Sequence, residues 1–183
     1  MITESKKVAY HESGHALIYH LLGNRITYVE INEFGLGSCR ISSGYKPSHY
    51  TTSDKSEHET NMLHWGLRCL SGYASECKMA GKDFSIRQLY EDYYLEESYE
   101  PENDMGSLID EINKVNAMIG EEYFGIDFVC SAYQRAIEIL HQPKCWRAVE
   151  KLSGELMQSE DGIVMGIRVH DVLGEFELDM LES

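Results

Sequence analysis

The chain has 183 residues, with 16 Lys and Arg against 31 Asp and Glu and a formal net charge of −15. Hydrophobic residues make up 43% and charged residues 26%, a globular composition that excludes a disordered chain. The charge argues against nucleic acid and anionic membrane surfaces as partners, and the length fits a single domain over residues 1–183.

Thr3 or Ser5 can cap a first helix that runs to about Leu22, where Gly23-Asn24 supplies the stop. Residues 25–32 are β-branched and aromatic, a strand with Ile26, Tyr28 and Glu30 on one face and Thr27, Val29 and Ile31 on the other. Gly35-Leu36-Gly37 reads as a turn and Ser38–Ser42 as a short second strand. The polar stretch 44–57, with Pro47, reads as a loop. Met62, Trp65, Leu70, Tyr73 and Cys77 recur at helical spacing and predict a second helix over 59–79, ended by Gly81. The acidic, tyrosine-rich stretch 82–102 reads as a connection. Three further helices follow, from Asn103-Asp104 to Gly120, over 127–141, and from Pro143 to about Met157. Asp161-Gly162 is a turn before a short apolar run and a last helix near 169–176. The expected fold is mainly α (α+β) with a small sheet.

Cys39, Cys69, Cys77, Cys130 and Cys145 are scattered, with no C-x-x-C pair. No export signal follows Met1, and no apolar run approaches the ~20 residues needed to span a bilayer. Together these features predict a soluble, cytoplasmic protein with reduced thiols.

The segment that carries chemistry is Val8-Ala-Tyr-His11-Glu12-Ser-Gly-His15-Ala-Leu17, an H-E-x-x-H on the first helix. Histidines at i and i+4 stand about 40° apart around a helix axis, so both imidazoles leave the same face and can reach one zinc ion. Glu12, one position on, can approach a metal-activated water as general base. Gly14 in a helix interior costs about 1 kcal/mol relative to Ala and marks close approach by another element. A hydrolytic zinc needs three protein ligands. The extended motif with a third histidine requires Gly at 18 and His at 21, where this chain has Ile18 and Leu21. The third ligand is therefore a distant acid, with Asp104 and Glu76 as the candidates.

The segment 8–17 resembles the zinc-site helix of the FtsH family of ATP-dependent zinc proteases. The resemblance continues in Tyr28–Ile31 and Leu36-Gly37, and in Ser71-Gly-Tyr-Ala-Ser-Glu76, which is similar to the family's Gly-Arg-Ala-Ala-Glu with Tyr73 in place of Arg. Asn103-Asp104-Met105 is similar to the Asn-Asp-Leu that supplies the family's aspartate ligand, and Tyr133–Ala136 and Ile139-Leu140 to its C-terminal helices. The resemblance implies a helical zinc metallopeptidase domain with its small sheet next to the zinc-site helix. It implies one Zn2+ held by His11, His15 and Asp104, Glu12 as catalytic base, and Glu76 orienting a ligand histidine. It also implies that Val29, Glu30, Ile31 and Asn32 bind extended substrate by strand addition.

The chain departs from that family in having no G-x-x-x-x-G-K-[ST] and no membrane anchor, and in carrying Leu108-Ile109 where the family has Ala-Thr. The expected function is a zinc endopeptidase without its own ATPase, acting on unfolded or flexible protein segments. Two alternatives are a protease subunit served by an ATPase in trans and a non-catalytic domain that uses zinc for stability. The oligomeric state is not legible in the sequence.

Overall fold

The structure is a computed structural model that describes residues 3–32, 34–42, 49, 55–82, 85–95 and 103–181, with the backbone alone at 57 and 93–95. Among these residues are seven helices and one three-stranded antiparallel sheet. In chain order they are α1 (Glu4–Leu21), β1 (Ile26–Ile31), β2 (Gly37–Ile41), α2 (Lys55–Ala80), α3 (Ile86–Leu95), α4 (Asp104–Ile119), α5 (Ile126–His141), α6 (Pro143–Gln158), β3 (Ile163–Met165) and α7 (Gly166–Gly174). They fall into two compact units, one built from residues 1–44, 71–83 and 137–183, the other from 45–70 and 84–136. No helix among the described residues is long and apolar enough to cross a membrane.

In the first unit the sheet, in the order β2-β1-β3, packs on α1, and α6 and α7 complete the core. Ala9, Ala16, Leu17, Val29, Ala148, Leu152, Val169 and Val172 are fully buried there. Strict alternation would place Ile26 and Val29 on opposite faces of β1, yet both are buried. The register shifts between Ile26 and Tyr28, and this irregularity turns Ile26 back toward the core. In the second unit α4 presents Met105, Leu108, Ile112 and Val115 as one buried stripe. Gly66 of α2 sits so close to α5 that an added Cβ would meet Ala132 Cβ at 2.8 Å. Asn116 closes the connection from α4 to α5, donating to the Phe124 carbonyl at 2.7 Å and accepting from the amides of Tyr123 and Phe124.

Two expectations change. Helix α2 starts at Lys55, so the last three residues of the expected loop 44–57 are helical; residues 44–48 and 50–54 lie outside the described residues. The stretch 82–102 contains a ten-residue helix, α3, rather than connection alone. Ser85 opens it, its hydroxyl accepting from Gln88 N at 3.2 Å, and Ile86 and Tyr90, one turn apart, are buried.

Candidate functional site

Thr3 starts α1 by accepting from Lys6 N at 3.3 Å, and the helix is buried on all sides from Glu12 to Ile18. The i, i+4 spacing turns His11 and His15 to one face. Their Nε2 atoms lie 2.9 Å apart and their rings meet edge to face, with centroids separated by 4.7 Å. Two nitrogens so close are within reach of one cation with imidazole bonds of about 2.0–2.1 Å.

Helix α2 takes the other ring nitrogen of each histidine. Glu76 Oε1 lies 2.6 Å from His11 Nδ1, and Ser71 Oγ lies 3.2 Å from His15 Nδ1. An ionised carboxylate only accepts, so His11 Nδ1 donates to Glu76. Two glycines let α1 and α2 come this close. A Cβ on Gly14 would meet the Ser71 carbonyl oxygen at 2.7 Å and Ser75 Cβ at 2.8 Å. A Cβ on Gly72 would run into His11 Nε2, so the absent side chain there keeps that nitrogen clear.

Compared with known proteins, the chain matches no family model and no curated protein. The site is therefore argued from its own atoms.

Glu12 is 6% exposed and packs under β2, where a Cβ on Gly37 would meet Glu12 Cγ at 2.6 Å and Oε1 at 2.7 Å. Two residues along β2, burial first and the Glu12 charge second hold the Cys39 thiol well above its ordinary pKa. Near neutrality Cys39 thus stays a thiol. Tyr73 stands edge-on to His11, with centroids 5.5 Å apart. His11, Glu12, His15 and Glu76 all belong to the first unit, and Asp104 to the second. Asp104 is the half-buried first residue of α4, behind Asn103, whose side chain accepts from Gly106 N at 2.8 Å. A carboxylate at that position is favoured by the positive end of the helix.

The expected substrate strand needs correction. Val29, Glu30 and Ile31 lie in the central strand of the sheet, paired with β2 on one side and β3 on the other. Ile31 N donates to the Gly162 carbonyl at 2.9 Å, and Asn32 N donates to the Leu36 carbonyl at 2.8 Å. From Tyr28 to Glu30 no edge of β1 is left for an added strand, because β3, which begins 132 residues after the end of β1, occupies it. Among the described residues, the edge strand beside Glu12 is β2.

Ser71 and Gly72 were not singled out by sequence reasoning as groups acting on the histidines. Their signal was only that they open the segment ending in Glu76, and the contacts they make span 56 and 61 residues of chain.

Proposed function

We propose that this chain is a zinc-dependent endopeptidase of the helical FtsH-like type, acting on unfolded or flexible protein segments. His11, His15 and Asp104 would hold the ion. Asp104 enters the set on the resemblance of Asn103-Asp104-Met105 to the family's aspartate-ligand segment. The observation that carries the reading is the arrangement of the histidine pair. Two Nε2 atoms face each other at 2.9 Å, with Glu76 and Ser71 on the opposite ring nitrogens and a glycine where a side chain would block His11 Nε2. Histidine ligands to metals characteristically have their second nitrogen engaged in this way.

The chemistry such an ion supplies is Lewis acidity toward a peptide carbonyl and acidification of water. The protein's own residues do the rest. Glu12, next to His11 in the sequence and buried against β2, takes a proton from the attacking water and delivers it to the leaving amine. An extended segment adds to the outer edge of β2, where Gly37 brings the strand against Glu12; this mode reads backbone, which suits unfolded chains of varied sequence. Glu76 keeps His11 in the tautomer that presents its Nε2 lone pair.

The test uses the purified full chain with one equivalent of zinc and an unfolded protein as substrate. Cleavage should require zinc and stop with a chelator. Glu12→Gln should keep its zinc and lose about 10²–10⁴-fold in rate. Undiminished cleavage by Glu12→Gln would remove the base assignment. Zinc binding without any cleavage, with unfolding on chelation, would replace the reading by a zinc-stabilised binding domain.

A further inference from the structure

The turn between β1 and β2 holds two large apolar side chains out in solvent, Phe34 at 81% exposure and Leu36 at 65%. Its backbone is fixed. Asn32 Oδ1 accepts from the Phe34 amide at 3.0 Å and the Leu36 amide at 2.9 Å. The Asn32 amide donates to the Leu36 carbonyl at 2.8 Å, and its own carbonyl accepts from Gly35 N at 3.1 Å. Gly35 takes φ 75°, a conformation that a side chain would strain. Asn32 also lines a cavity of about 630 Å³, within the size range of ligand sites, together with Ile31, Leu156, Met157 and the exposed acids Glu160 and Asp161. Asp161 Oδ1 accepts from the Ser159 hydroxyl at 2.7 Å and the Ile163 amide at 3.1 Å, which holds its carboxyl below the ordinary carboxylate range and keeps it charged. We propose that this turn and cavity select substrate, taking extended segments that carry a large apolar side chain beside a basic one; the statement rests on the function proposed above and adds which segments are cut.

Position, rigidity and charge point to this occupant. Leu36 directly precedes Gly37, the residue at which β2 meets Glu12. At about 3.3 Å per residue, Phe34 lies at most about 10 Å along the chain from Gly37, so a segment added to the outer edge of β2 passes the turn within about three residues of Gly37. The apolar pair is thus continuous with the edge on which cleavage is proposed. A turn already held by four hydrogen bonds around Asn32 loses little conformational freedom when it binds. Large apolar side chains are mostly buried in folded proteins, so a surface that requires one favours unfolded segments. Glu160 and Asp161, in a chain of net charge −15, attract a basic side chain beside the apolar one and repel an acidic one. Within this surface Asn32 is a positioning residue, acting through the two amides that its side chain accepts.

The experiment uses the full chain and two fluorescein-labelled, unstructured peptides, identical except for Phe or Ser beside a central Lys. Binding is read by anisotropy without zinc. The Phe peptide should bind about tenfold tighter than the Ser peptide. The double variant Phe34→Ser, Leu36→Ser should bind both alike; both side chains are exposed, so the fold should persist, which circular dichroism checks. Asn32→Ala should lose most of the preference, and Asn32→Asp, which still accepts both amides, should restore it. Replacing the peptide's Lys by Glu should weaken binding, more at low salt than at high. With zinc, the wild type should cut within about three residues of Phe, and the double variant should raise KM about tenfold with kcat little changed. A wild type that binds both peptides alike, or a double variant that still prefers Phe, would overturn the proposal. So would a dimer in sedimentation that dissociates in the double variant, because the turn would then serve a second copy of the chain. A preference for Phe without cleavage by the zinc-loaded chain would keep the selecting surface and sink the endopeptidase. Cleavage without the preference would do the reverse.

Discussion

Glu76 and Gly72 act on the same imidazole from opposite sides. Glu76 anchors His11 Nδ1 at 2.6 Å, and Gly72 leaves the space into which His11 Nε2 projects. Because the anchor prevents the ring from swinging away, an added methyl at 72 has to displace either the ring or the helix. Gly72→Ala should therefore weaken zinc binding about tenfold or more, equivalent to about 1.4 kcal/mol, although alanine is the better helix former. Glu76→Gln keeps the shape but lets the partner donate as well as accept, so His11 loses its single tautomer; affinity should fall about 10–100-fold. Chelator competition measures both. A Gly72→Ala protein with wild-type affinity would show that the ring has room the geometry denies it.

At the level of elements, the seam between α1 and α2 is what brings the histidines to their partners. Gly14 sits in that seam, and an alanine there would place Cβ 2.7 Å from a backbone oxygen of Ser71, an atom that cannot move without moving the helix. Overpacking of this kind costs about 1–3 kcal/mol, against about 1 kcal/mol gained from helix propensity. The net expectation for Gly14→Ala is a lower urea midpoint, with Ser71 pushed away from His15; an equal or higher midpoint would show that the seam is loose. The elements whose ends are set locally were the legible ones. Asn103 caps α4, Gly120 closes it at φ 83°, and Pro143 opens α6, each readable within a few residues. Helix α3 was hidden because its acids and tyrosines dominate its composition, while only Ile86 and Tyr90 among its described side chains are buried. The true edge of the sheet was hidden for a different reason. Which side of β1 is covered depends on three residues of β3, and local pattern carries no information about that pairing. The same contrast holds at the site: His11, Glu12 and His15 follow from helix geometry alone, whereas Ser71 and Gly72 gain meaning only once α2 lies against α1.

At the scale of the whole molecule, the net charge of −15 makes the pH response a sum of many carboxylates, so a single group is best isolated by difference. His20, in the last turn of α1, offers one. Its Nδ1 lies 3.2 Å from His170 Nδ1 on α7, and His170 Nε2 accepts from the Ile26 amide at 3.1 Å. Accepting at Nε2 puts the His170 proton on Nδ1, so His170 donates to His20, and the chain of bonds joins α1, β1 and α7 only while His20 Nδ1 holds a lone pair. Burial first, and the neighbouring His170 second, lower the His20 pKa below its ordinary 6.5. Between that value and the lower folded pKa, the unfolded chain binds a proton that the native chain refuses. The stability from this group is therefore fully present above about pH 6.5 and is lost as pH falls through the folded pKa. His20→Asn provides an acceptor at the position of Nδ1 but has no proton to gain. Melting temperatures from pH 7.5 to 5 should thus fall more steeply for the wild type than for His20→Asn, the carboxylates cancelling between them. Parallel curves would mean that His20 is protonated as readily in the native protein as in the unfolded chain, and that the bond to His170 does not depend on its lone pair.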